Sequence, residues 1–152
     1  MLIAWALLIL NYLQPIAPWS KTYQETAQGM VEGATAVPVF DGPLGVERTI
    51  VLDESLAWFE SRFDRHAVGD HGSAHGLYQV HAPEGETVKE QTIQANRMVK
   101  QSFKACANQR TEEWLGWYAA GGNDCTRGLR ESRHRMLKAF WLFKHFPPPS
   151  IP

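Results

Sequence analysis

The stretch from about Val46 to Phe63 constrains this chain most. Leu52, Leu56, Phe59 and Phe63 are spaced by four, three and four residues, so they share one face of a helix. Glu60 lies four after Leu56 and three before Phe63. A carboxyl group therefore borders an apolar face near the C-terminal end of a helix, with Asp53, Glu54 and Arg62 pointing elsewhere. Apolar neighbours and the helix dipole both work against a negative charge at that place. A carboxyl that keeps its proton can serve as a general acid. The competing expectation is a boundary residue paired to an arginine. Directly after the helix come Gly69, Gly72 and Gly76, which permit tight backbone turns, interleaved with Asp70 and several histidines. A short β-prone run, "GLYQV", then ends at His81.

The other periodic segments are helical. "SKTYQETAQGMVEGA" carries a partial stripe of Tyr23, Ala27, Met30 and Val31, with Ser20 placed to cap it. "TVKEQTIQANRMVKQSFKAC" repeats Val88, Thr92, Ala95, Val99 and Cys106 near helical spacing. "TEEWLGWYAAGG" opens on acidic residues and stops at a glycine pair. "ESRHRMLKAFWLFKHF" stops at three prolines. The expected fold is mainly α, with one short β-like excursion after the Glu60 helix. A net charge of −1 and dispersed Lys and Arg argue against nucleic acid as the main partner. The basic run "RGLRESRHR" reads as the solvated side of the last helix.

The first thirteen residues, "MLIAWALLILNYL", contain one polar residue, Asn11. The run is short for a spanning helix and lacks the basic start of a secretory signal. An anchor or export segment, a membrane-inserting arm and a packed apolar helix all remain open; the run is apolar on every side, which favours a membrane or export role. The expected division is an apolar segment over 1–18, the main domain over 19–146 and a Pro-rich tail over 147–152. Cys106 and Cys125 form either a disulfide or two buried thiols, and the exposed character of "GGNDC" favours the bridge. Two cysteines without a matching histidine pair make a poor zinc site.

The segment "FESRFDRHAVGDHGSAHGLYQV" resembles the signature of soluble lytic transglycosylases and goose-type lysozymes. The family's Glu-Ser is Glu60–Ser61, its Gly-Leu-x-Gln is Gly76-Leu77-Tyr78-Gln79, and its later Ala-Tyr-Asn-Ala-Gly is similar to "WYAAGG" at 117–122. The likeness spans roughly residues 46–145. It implies a lysozyme-like α+β fold and cleavage of the β-1,4 bond between N-acetylmuramic acid and N-acetylglucosamine in peptidoglycan, with no cofactor. It implies Glu60 as the single acid and base, and substrate contacts from Ser61, Asp70, Gly76, Leu77, Tyr78, Gln79 and Tyr118. Gln79 would hydrogen-bond substrate, and Tyr118 would reach the Glu60 carboxyl and fix its rotamer. Two departures stand out. The family's asparagine is Ala119 here, and of two aspartates that place water in goose-type lysozymes, Asp70 matches the first while His81 replaces the second. That loss favours the transglycosylase outcome over the hydrolase.

The rivals are a metal site and a non-catalytic module. His66, His71, His75 and His81 cluster with Asp64 and Asp70, but "HGSAH" sits on a Gly-rich loop without the helical spacing and glutamate of a metalloprotease. A fold of this kind could also bind peptidoglycan or serve as a virion part without catalysis. The expected setting is the bacterial envelope or periplasm, or a phage virion. The expected partners are glycan strands, a membrane met through residues 1–13, and envelope or virion proteins.

Overall fold

A computed structural model describes residues 1–15, 21–122 and 124–149. Among these the chain is mainly helical. The helices are α1 (Leu2–Leu13), α2 (Lys21–Ala36), α3 (Gly45–Ser61), α4 (Val88–Ala105), α5 (Gly116–Ala119) and α6 (Leu129–His145). After α3 comes a hairpin with two residues in each strand, β1 (Val68–Gly69) against β2 (Ala74–His75), with Val68 opposite His75. The β-prone "GLYQV" run is instead a turn, because Gly76 and Gln79 take positive φ, and only its Val80 pairs, in an isolated bridge to His75. The Ser20 cap expected for α2 lies outside the described residues.

Helix α3 is the axis of the core. It packs against α1, α2 and α6, and every residue from Ile50 to Ala57 is buried. A helix enclosed on all sides has no solvent face on which to place its polar residues. Asp53 and Glu54, expected off the apolar face, are therefore fully buried. The helix ends where Arg62 and Phe63 turn left-handed, at φ 54° and 65°. Phe63 remains in the core beyond that turn.

Helix α2 lies on α4 through two glycines. A Cβ on Gly29 would come within 2.6 Å of Val88, and one on Gly33 within 2.6 Å of Thr92. The two backbones approach closely because neither position carries a side chain. Helix α4 starts at a capping box: the Thr87 hydroxyl accepts from the Glu90 N–H, and the Glu90 carboxylate accepts from the Thr87 N–H. Those bonds hold the Glu90 carboxyl below its usual range.

The apolar N-terminal run is a packed helix. Trp5, Ala6, Leu7, Ile9, Leu10 and Leu13 of α1 join the core cluster, and the Trp5 indole N–H donates to the Phe146 carbonyl at 3.1 Å. Among the described residues no helix is long and apolar enough to cross a membrane. Cys106 and Cys125 are bridged, with their Cα atoms 5.6 Å apart. The bridge ties the end of α4 to the chain that follows α5.

Candidate functional site

The C-terminal end of α3, the hairpin region, α4, α5 and α6 together enclose an open cleft of about 850 Å³. Glu60 lines it from the last turn of α3. Tyr78, Gln79 and His81 come from the run after the hairpin, Asp70 from the hairpin turn, and Tyr118 to Gly121 from α5 and its exit. Arg97, Met98 and Gln101 line it from α4.

Glu60 is paired to Arg135 of α6. Arg135 Nε and one terminal nitrogen donate to the same carboxylate oxygen, Oε1, at 2.9 and 2.6 Å. The side chains are 19% and 12% exposed, so the pair is only partly solvated. Among the described residues Oε2 of Glu60 has no hydrogen-bond partner. The arginine-paired boundary residue and the carboxyl facing a groove are thus one arrangement. In the sequence Arg135 closes the basic run "RGLRESRHR", which is expected to be solvated. It lies on the flank of α6 next to buried Met136 and Ala139, a position that helical spacing could have revealed.

Tyr118 does not reach Glu60 as expected. Its hydroxyl donates to the Tyr78 carbonyl at 3.2 Å, which ties α5 to the run after the hairpin. Burial pushes the Tyr118 phenol up, and the nearby negative charge of Glu60 adds to this against the opposing pull of Arg135. The phenol keeps its proton and acts as a fixed donor. The Tyr78 hydroxyl shares a hydrogen bond with the Thr92 hydroxyl at 3.0 Å, and burial holds this phenol well above its usual range too.

Gln79 lines the cleft, but its side-chain amide faces its own loop. Nε2 donates to the carbonyls of Ala67 at 3.2 Å and Gly76 at 2.9 Å. A Cβ on Gly69 would lie 2.3 Å from Gln79 Oε1, so the glycine makes room for this lock. Ser61 donates to the carbonyls of Ala57 and Leu77, pinning the end of α3 to the same loop. Leu77 is core, and its N–H donates to Gln91. Ser61, Gly76 and Leu77 support the cleft wall and do not line it. Of the seven residues expected to meet a substrate, Asp70, Tyr78, Gln79 and Tyr118 do line it. Asp70 and His81, both well exposed, face each other at 3.4 Å.

Behind the cleft sits a buried polar group that sequence spacing missed. Asp53 Oδ2 accepts from Asn96 of α4 at 3.3 Å, while Asp53 Oδ1, both Glu54 oxygens and Asn96 Oδ1 have no partner. Burial raises both carboxyls well above their usual range, and the proximity of Asp53 raises Glu54 further. Among the described residues no three His, Cys, Asp or Glu side chains are grouped as a metal ion would require.

Comparison with family models, curated proteins and solved structures returns no match to this chain. The resemblance drawn from Glu60–Ser61, "GLYQ" and "WYAAGG" therefore rests on those residues alone.

Proposed function

We propose that this chain is a peptidoglycan lytic transglycosylase of lysozyme-like fold, with Glu60 as its acid and base. The observation that carries this reading is a partly buried carboxyl on the wall of an open cleft, with one oxygen held by Arg135 and the other without a protein partner. Oε2 would bring the proton that a departing glycosidic oxygen needs as its bond to C1 of the muramyl residue breaks. Arg135 would then steady the carboxylate left behind. That carboxylate takes the proton from the muramyl 6-hydroxyl as its oxygen bonds to C1, leaving a 1,6-anhydro end. The substrate supplies the nucleophile, so one carboxyl suffices. The Tyr118 hydroxyl, bonded to the Tyr78 carbonyl, braces the wall of the cleft from within, and Gln79 shapes the wall through its loop. The setting consistent with this chemistry is wall remodelling in a bacterial envelope or local wall opening by a phage virion.

A second reading is favoured by the Asp70–His81 pair. Asp70 on the same cleft could place a water molecule, which would make the protein a goose-type hydrolase. A third, non-catalytic binding to peptidoglycan, leaves the Glu60–Arg135 pair as a purely structural contact.

The test is clearing of a purified murein suspension by wild type and by Glu60→Gln. Wild type clears and the variant does not. Equal clearing by both would remove Glu60 from the chemistry, and clearing by neither would favour the binding module.

A further inference from the structure

On the side formed by α1 and α6 the molecule exposes aromatic, aliphatic and cationic side chains together. Leu8 and Tyr12 stand one turn apart on the outer stripe of α1. Leu8 is 56% exposed, and Trp141 of α6 is 38% exposed. Tyr12 stacks on Trp141 with ring centroids 5.6 Å apart, which joins the two helices into one surface. Leu137, also exposed, lies one turn before Trp141.

The charge around these rings has one sign. Lys138 Nζ lies 5.0 Å from the Trp141 ring centroid and 5.8 Å from that of Tyr12. Arg62 lies over Trp58 at 3.9 Å. Lys138, Lys144, Arg130 and Arg62 have no carboxylate partner among the described residues. By contrast, Arg133 and Arg135, on other flanks of α6, are both paired with glutamates. Helix α1 contains no acidic residue, and α6 contains only Glu131.

We propose that this face docks on the surface of an anionic lipid bilayer. Aliphatic side chains beside Trp and Tyr, with lysines reaching past them, suit the boundary between headgroups and acyl chains. The unpaired cations complement phosphate headgroups. A second copy of the chain fits poorly, because a two-fold contact would bring these cations against their own copies with no carboxylate to meet them. With 12 residues, α1 is too short to span a bilayer. It contributes only its outer stripe, since its inner residues fill the core. This inference does not depend on the chemistry proposed for the cleft. On α6, Arg135 faces the cleft from a different flank than Trp141, so docking would leave the groove open.

The test is co-sedimentation with phosphatidylglycerol vesicles and with phosphatidylcholine vesicles. Wild type and Glu60→Gln bind the first and not the second. The double variant Lys138→Glu/Lys144→Glu loses at least about tenfold in partitioning, and Leu8→Ser weakens binding while keeping the wild-type thermal midpoint. Any of three results would overturn the proposal. One is no binding to phosphatidylglycerol; another is equal binding by the charge variant. The third is a dimer in analytical ultracentrifugation that Leu8→Ser dissociates, which would assign the face to a second copy of the chain.

Discussion

Glu54→Met should make this protein more stable, and by an amount that grows with pH. Glu54 is fully buried in α3 with neither carboxyl oxygen hydrogen-bonded. Its proton is retained in the fold, because burial and Asp53 both raise it well above the usual glutamate value of 4.5. The sign follows from proton counting. Below pH 4.5 folded and unfolded chains both carry the proton, and Glu54 adds no pH dependence. Above it the unfolded chain releases the proton and the folded chain does not, so stability falls as pH rises toward the folded value. Each pH unit of that window costs on the order of 1 kcal/mol. Methionine has similar volume, cannot ionise and leaves no orphaned oxygen, whose desolvation costs about 1–3 kcal/mol by itself. The advantage of the variant should therefore widen as pH rises above 4.5, for as long as the folded chain keeps the proton that the unfolded chain has lost. Urea unfolding at pH 5, 6 and 7 reads this as a difference in midpoint that increases with pH, at a typical slope of about 1–3 kcal/mol per molar urea. Parallel pH profiles for the two proteins would refute the reasoning, and so would a less stable variant at pH 7.

Other consequences are open to direct measurement. Arg135→Ala should lower murein clearing at least about a hundredfold, and it should cost about 1–3 kcal/mol in urea unfolding, because Glu60 loses its partner in a partly dry site. Arg135→Lys should recover stability better than activity, since an ammonium cannot reproduce the two-nitrogen contact. Tyr118→Phe leaves the Tyr78 carbonyl unpaired and should cost about 1–3 kcal/mol. Its activity should fall far less than that of Glu60→Gln, because the hydroxyl serves the backbone and not the carboxyl. Cys106→Ser should destabilise the fold by about 3 kcal/mol for a closed loop of this length; a thermal midpoint that reductant lowers in wild type alone would confirm it.

The sequence made some elements plain and hid others for physical reasons. The stripe of Tyr23, Ala27, Met30 and Val31 identified α2, and all four residues are buried. Leu52 and Leu56 located α3, but its burial on every side defeats a reading by faces: Asp53 and Glu54 lie off the Leu52–Leu56 face and are buried all the same. The end of α3 came two residues early because Arg62 and Phe63 adopt left-handed backbone without a glycine to signal it. "TEEWLGWYAAGG" reads as one helix, yet it divides into a single 3-10 turn at Thr111–Glu113 and the four-residue α5. There Ser132 of α6 donates to the Glu112 carbonyl and accepts from the Leu115 N–H, a tertiary contact that local spacing does not encode. In α1, apolar residues all round suggested lipid on all sides, whereas one side is core and the other carries the exposed Leu8 and Tyr12.

At the cleft, residues with a positional logic were legible. Glu60 follows from helical spacing, and Asp70, Gln79 and Tyr118 from motif order. Their partners were not legible, because each depends on which element packs opposite. Arg135 holds the Glu60 carboxyl, the role expected of Tyr118. The Gln79 amide nitrogen is spent on Ala67 and Gly76. Ser61 and Leu77 hold the loop from behind.

The most direct test of the account is the mass of the fragments released when purified peptidoglycan is digested by wild-type protein. Anhydro-muramyl ends, absent from a Glu60→Gln digest, are the predicted result. Reducing muramyl ends would mean that water is the acceptor and that Asp70 has the larger role. Fragments of either kind at an undiminished rate from the variant would contradict the assignment of Glu60.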